Sequence, residues 1–142
     1  MELDLLLTQV VNKKKNLGIA FTYNEPTINI EFIIEISNEV KELDKKTVMI
    51  SNGYINPIPL ASLLECIDAF NIDLKGFNEN FYKKYTKATL KPVLSSLKQI
   101  KNSGKHLEIT NLVIPTLNDD EDEFESMCKW IAKELGNNTV LH

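Results

Sequence analysis

The sequence predicts an α/β chain whose parallel strands form part of a barrel, and three observations carry that reading. Short apolar runs alternate with helical patterns in the order α-β-α-β-α-β-α-β-α-β, and regular alternation builds right-handed βαβ units on a parallel sheet. Turn residues such as Asn52-Gly53 and Lys75-Gly76 mark the strand ends. The pattern opens on a helix and closes on an edge strand, whereas a parallel sheet has its faces and edges covered. The expected architecture is an incomplete (β/α) barrel of about five parallel strands, the middle of a larger barrel. No linker, low-complexity tract or strict repeat interrupts residues 1–142, which read as one domain.

Each element has a local reason. Glu2 to Lys15 reads as an amphipathic helix with Leu3, Leu6, Leu7, Val10 and Val11 on one side. It closes on Lys13-Lys14-Lys15, where cations suit the helix dipole. Leu17 to Thr22 is the first strand. Thr27 to Leu43 carries Ile33, Ile36, Val40 and Leu43 at helical spacing. Thr47 to Ser51 is the second strand, and Pro57 and Pro59 open a helix through Leu60, Leu63, Leu64 and Ile67. Ala69 to Leu74 is the third strand, followed by a short helix near Asn78 to Lys87.

A longer helix has Pro92 in its first turn and stops before Gly104, the proline-in, glycine-out asymmetry of helix ends. Leu107 to Ile114 is the fourth strand, broken by Pro115. The acidic run Asp119 to Glu125 begins the last helix, with an apolar face of Phe124, Met127, Cys128, Ile131 and Leu135 and a stop at Gly136. Thr139 to His142 is a further strand, cut short.

Composition bounds the function. A chain of 142 residues buries a real core, roughly 68–70% of its unfolded surface. The formal net charge of -4 and the scattered lysines argue against a nucleic-acid footprint. No run approaches the length of a membrane span, and the amino terminus lacks a signal-peptide pattern, so a cytoplasmic protein is expected. Cys66 and Cys128 fall on apolar helix faces and read as reduced core residues.

Parallel strands bring their carboxyl ends to one mouth, where α/β folds place ligands. Phe21 to Thr27 is the most informative stretch there. Glu25 stands between an amide and Pro26, which restricts it to extended backbone and so aims it. Ser51-Asn52, Asp73 with Lys75, and the Thr110 to Ile114 strand end join it. Each has an ordinary reading too: a solvated loop carboxylate, a turn, a helix cap, a surface ion pair worth under about 1 kcal/mol. Two chemistries fit the set. Lys75 could form a Schiff base, as class I aldolases do. Alternatively Glu25 could hold an ammonium group while Lys75 and Ser51 hold a carboxylate and hydroxyls, which suits an amino-acid-bearing ligand.

Four ordered motifs carry a resemblance over essentially the whole chain. They are Ala20-Phe21-Thr22-Tyr23-Asn24-Glu25-Pro26-Thr27, Ser51-Asn52-Gly53-Tyr54, Asn71-Ile72-Asp73-Leu74-Lys75-Gly76-Phe77, and Leu112-Val113-Ile114-Pro115 with Asn118-Asp119. Together they resemble radical SAM enzymes of the pyruvate formate-lyase-activating type, closest to the AmmeMemoRadiSam-system branch. The resemblance implies a partial (β/α)6 barrel binding S-adenosylmethionine beside a [4Fe-4S] cluster. In that family reductive cleavage of the sulfonium yields a 5'-deoxyadenosyl radical. It further implies that Tyr23, Asn24 and Glu25 grip the methionine amino group, that Ser51 and Asn52 line the pocket, that Asp73 contacts ribose or a cation, and that Lys75 lies near the SAM carboxylate.

The departures from the family pattern shape the expectation equally. The family's Cys-x3-Cys-x2-Cys loop precedes the first helix seen here, and Cys66 and Cys128 are too few to replace it. Tyr23-Asn24 replaces two glycines, Ile50 stands where activating enzymes can carry an aspartate, Thr116 replaces a glycine, and His142 is a weak counterpart of a strand-end histidine. The chain is therefore expected to be inactive alone, with no cluster of its own. The alternative is a degenerate or split-gene module that binds a nucleoside ligand, or that pairs with another chain or a second copy through its exposed sheet edges.

Overall fold

Five strands and six α-helices alternate along residues 3–13 and 15–142, the part of the chain that the computed structural model describes. They are α1 (Leu3–Asn12), β1 (Gly18–Phe21), α2 (Ile30–Glu42), β2 (Lys46–Ser51), α3 (Pro57–Cys66), β3 (Ala69–Asp73), α4 (Glu79–Phe81), α5 (Leu90–Asn102), β4 (His106–Thr110), α6 (Glu121–Glu134) and β5 (Val140–Leu141). A 3-10 turn, Pro26–Asn29, leads into α2, and a single π turn, Tyr82–Thr86, continues α4.

All four strand pairings are parallel, and spatial order equals chain order, β1-β2-β3-β4-β5. That order is what a singly wound barrel requires, because each crossover adds the next strand on the same side. The sheet stays open among the described residues, so it is a barrel segment and not a closed barrel.

Period-two alternation explains how the sheet is used. Met49, Phe70, Ile72, Leu107 and Ile109 point to one face, buried against Ile33 of α2, Leu60 and Leu63 of α3, Val93, Leu97 and Ile100 of α5, and Met127, Ile131 and Leu135 of α6. The other face carries Ala20, Val48, Ile50, Asn71, Asp73, Glu108 and Thr110 and is at least partly open. In a closed barrel that face would be the interior. The helices therefore cover one face only.

Several boundaries differ from the sequence reading for identifiable reasons. α1 ends at Asn12, so Lys13 and Lys15 follow it and do not cap it; Glu2 and Lys14 lie outside the described residues. β4 ends at Thr110, four residues before Ile114. Asn111 turns its amide to the Leu74 carbonyl at 2.7 Å, and the Ile114 N–H is taken by Asn118 Oδ1 at 2.6 Å, which curls the chain out of the sheet. In α6 the apolar face is narrower than expected. Met127, Ile131 and Leu135 are buried, but Phe124 is 42% exposed and Cys128 is half-buried. Phe124 and Cys128 are one turn apart on the ridge that looks away from the sheet.

Candidate functional site

The site is built on the turn after β1. Pro26 holds Glu25 extended, at φ -139° and ψ 111°, and Glu25 caps the 3-10 turn. Its carboxylate is shared unequally between local and distant donors. Oε1 accepts from Thr27 N at 3.3 Å, Thr27 Oγ1 at 3.1 Å and Ser51 Oγ at 2.7 Å. Oε2 accepts from the backbone N–H of Asn52 at 2.8 Å. A carboxylate offers about four lone-pair sites, so Oε1 is saturated and Oε2 retains capacity for another donor. Ser51 is itself buried at the end of β2 and its hydroxyl also accepts the Gly53 N–H at 3.1 Å.

Gly53 is required where it stands. Its φ of +69° favours glycine, and a Cβ would meet Ile72 Cγ2 at 2.7 Å. The sharp turn that follows lets Asn52 Oδ1 accept the Tyr54 N–H at 2.7 Å.

The end of β3 supplies the second half. Asp73 Oδ2 and Lys75 Nζ are 2.7 Å apart, both partly exposed, so the pair orients the lysine more than it stabilises the fold. One of three ammonium donors is used, leaving two. Tyr82, 3% exposed, accepts the Lys75 N–H on its hydroxyl at 3.2 Å. Burial pushes the Tyr82 phenol up to about 12, the Lys75 N–H partly offsets this, and Asp73 and Glu79 add to it.

Loops after β4 then brace this end. Asn118 Nδ2 donates to the carbonyls of Lys75 at 2.7 Å and Leu112 at 3.0 Å. Glu123, in the first turn of α6, accepts from Phe77 N at 2.8 Å and Asn78 Nδ2 at 3.0 Å.

The sequence-derived residues thus fall into a trio, a pair and one outlier set. Glu25 meets Ser51 and Asn52; Asp73 meets Lys75; Asn52 and Lys75 line one cleft of about 380 Å³ with Tyr54, Tyr82 and Lys87. Tyr23 is 91% exposed and Asn24 is exposed, and neither side chain is hydrogen-bonded among the described residues. Thr110 and Asn111 help the site, but Leu112 to Ile114 face outward.

Tyr82 and Glu123 were not legible as site residues, because their roles arise from loop-to-loop contacts with no local pattern; Asn118 stood in the fourth motif, but its bracing role did not. Asn71 on β3 and Glu108 on β4 were also missed. Thr110 Oγ1 donates to Asn71 Oδ1 at 2.9 Å, and Glu108 is joined by His106 at 2.9 Å and His142 at 2.7 Å. Hydrogen bonds from His106 and then His142 hold the Glu108 carboxyl below its usual range. These residues share the open face of the sheet.

Among the described residues no group of three or more His, Cys, Asp or Glu is placed to hold a metal ion. Cys66 is buried in α3 and Cys128 lies on α6, so the residues present do not fit an iron–sulfur cluster. No helix among the described residues is long and apolar enough to cross a membrane.

Comparisons with known proteins bear on the fold and on the family. A protein of Methanocaldococcus jannaschii, named "Uncharacterized protein MJ0808", is 46% identical over 125 residues, covering 88% of this chain and 37% of the relative. The (2S)-3-sulfopropanediol dehydratase activating enzyme of Klebsiella oxytoca is 26% identical, covering 84% of this chain and 38% of that one. The pyruvate formate-lyase-activating enzyme of Clostridium pasteurianum is 26% identical, covering 84% and 50%. The chain thus spans half or less of the length of these relatives. In fold it is similar to a domain of a pyruvate-formate lyase-activating enzyme from Bacteroides vulgatus, with a TM-score of 0.77 at 16% identity, covering 86% and 75% of the two chains. It is also similar to the cobalamin-dependent radical enzyme OxsB, with a TM-score of 0.66 at 16% identity, covering 99% of this chain and 22% of that one. These neighbours share the open parallel sheet, the expected part of a (β/α) barrel. The radical SAM superfamily profile matches residues 2–131, and the chain belongs to that superfamily.

Proposed function

We propose that residues 1–142 are a single SAM-binding core of a radical SAM enzyme of the pyruvate formate-lyase-activating type. The observation that carries this is the Glu25 carboxylate, fixed at the mouth by Ser51 Oγ and Asn52 N with Oε2 still able to accept. That atom is the acceptor for the methionine ammonium. Tyr23 and Asn24 present backbone and side-chain groups on the same turn, Asn52 lines the wall, and the two unused donors of Lys75, oriented by Asp73, meet the methionine carboxylate. Such a ligand set reads both ends of an amino acid at once. In intact family members a [4Fe-4S] cluster supplies the electron that cleaves the bound sulfonium. The residues here hold and orient the ligand, and on their own they are expected to leave SAM uncleaved.

Calorimetric titration of the chain with S-adenosylmethionine tests the reading. Binding that falls about tenfold or more in Glu25→Gln, by loss of one charge-assisted contact, supports it. Equal binding by both proteins would remove it. Anaerobic reconstitution yielding cluster-dependent SAM cleavage would overturn the expectation of inactivity.

A pairing role has one specific observation behind it. β1 and the two-residue β5 are sheet edges among the described residues, and open edges invite further strands. Sedimentation showing only monomer at high concentration would count against pairing with a second copy. The Lys75 Schiff-base reading is weaker, since Asp73 engages the amine that would attack. Borohydride trapping with a small aldehyde would reveal an adduct if it held.

A further inference from the structure

We infer that Tyr85 and the lysines around it form a basic knob that enters an acidic, apolar groove on α6 of a second copy, two such contacts closing a two-fold dimer. The groove has a volume of about 430 Å³ and shares no residue with the cleft of Asn52 and Lys75. Val113, Phe124 and Cys128 give it an apolar lining, and Asp119, Glu121 and Glu125 add carboxylates. Leu112, Ile114 and Leu117 on the same loop are 70%, 39% and 38% exposed. Apolar surface gathered on one loop and one helix marks an interaction site more than scattered exposure does. The carboxylates repel anionic lipid and nucleic acid and favour a cationic guest.

The chain itself carries that guest. Tyr85 is 43% exposed, and its ring rests on Phe81 with centroids 5.3 Å apart. Lys84 Nζ stands 5.0 Å from the Tyr85 ring centroid, and Lys83 on the π turn and Lys87 at its end are exposed. The turn is braced from within. Thr86 Oγ1 donates to the Tyr82 carbonyl at 2.8 Å, and Lys87 Nζ donates to the Lys84 carbonyl at 3.0 Å. An aromatic group held in place loses little freedom on docking, which suits it as an anchor. The charges are also segregated along the chain. No Asp or Glu lies between Glu79 and Glu108, and no Lys lies between Lys105 and Lys129. Lys83, Asp119 and Glu121 have no ion-pair partner among the described residues.

Knob and groove belong to one rigid end of the molecule. The π turn follows β3 and the groove follows β4, and these strands are parallel neighbours. Glu123 of α6 ties the two together by accepting from Phe77 N at 2.8 Å and Asn78 Nδ2 at 3.0 Å, just before α4. A surface that holds both a knob and the groove matching it is self-complementary, and a two-fold axis makes both contacts at once. The contact uses neither β1 nor β5, so it is distinct from pairing through sheet edges. It does not rest on the SAM reading.

Sedimentation equilibrium of the chain up to millimolar concentration tests the inference. A monomer–dimer equilibrium is expected, weakened by added salt. Tyr85→Ala should weaken it about tenfold or more, by loss of the anchor. Reversing the groove charge with Glu121→Lys and Glu125→Lys together, or the knob charge with Lys83→Glu and Lys84→Glu together, should each cost about tenfold or more. An equimolar mixture of those two double variants should recover the dimer, because both contacts then join opposite charges; this recovery also shows that the variants are folded. Cys128, inside the groove, should react with Ellman's reagent more slowly in the dimer than in the dilute monomer. A chain that stays monomeric, even one whose groove takes a free basic peptide, would overturn the inference. So would growth beyond a dimer, or a dimer unchanged by Tyr85→Ala and by both reversals, which would point to the sheet edges instead.

Discussion

Glu25 Oε1 sits 2.7 Å from Ser51 Oγ, so the turn after β1 and the end of β2 are joined through one carboxylate oxygen. The second oxygen, which accepts the Asn52 N–H, keeps capacity for one more donor, and the bond makes Ser51 a positioning residue for Glu25. Ser51→Ala should lower stability by about 1 kcal/mol, with Ser51→Thr less affected because it keeps the hydroxyl. Urea denaturation measures both. A midpoint for Ser51→Ala equal to that of the parent would mean the bond does not hold the turn.

Tyr82 gives a stability change confined to alkaline pH. Its folded value of about 12 lies above the usual value near 10, so between these limits the unfolded chain has lost a proton that the folded chain keeps. Stability tied to this group is present below about pH 10 and is lost as pH rises toward 12, by about 3 kcal/mol. Tyr82→Phe should show a correspondingly flatter decline across that window. Parallel pH profiles for the two proteins would contradict the burial of the phenol.

Acid should loosen the far edge of the sheet. Glu108 is held ionised by His106 and His142, and its folded value is depressed. The associated stability is present above the usual carboxylate range near 4.3 and is lost as pH falls through the folded value below it. Its side chain is about one-third exposed, so the effect is under about 1 kcal/mol. The His142 N–H, bonded to Ile109 O at 2.9 Å, is a local reporter. In Glu108→Gln at neutral pH its hydrogen exchange should speed up a few-fold, while exchange in β3 stays the same.

The two cysteines should separate cleanly by reactivity. Burial pushes the Cys66 thiol up and hides it, whereas Cys128 lines an open apolar groove with Val113 and Phe124. Ellman's reagent should label one thiol per chain in the native state and two in denaturant. Cys128→Ser should abolish the native signal.

Much of this was legible because the chain signals are local. Element order and parallel pairing follow from strand ends and turn residues that read correctly from sequence, and the same strand ends bring Glu25 to Ser51 and Asn52, and Asp73 to Lys75. The failures have a common physical cause. Leu112-Val113-Ile114 looks like strand, but Asn111 and Asn118 capture the backbone groups that a ladder would need. Phe124 and Cys128 look like core at helical spacing, yet α6 meets the sheet along the narrower line of Met127, Ile131 and Leu135. The His106–Glu108–His142 cluster spans two strands, and only the register makes it visible.

The one-sided packing of the sheet has a practical outcome for protein engineering. Odd and even positions along each strand answer to different demands: one set to folding, the other to whatever meets the partly exposed face. Ala20, Ile50, Asn71 and Thr110 all lie on the partly exposed face, with Ile50 and Asn71 directly paired. A library randomised at those four codons should yield mostly folded variants, whereas the same diversity at Met49, Phe70, Ile72 and Ile109 should yield mostly aggregates.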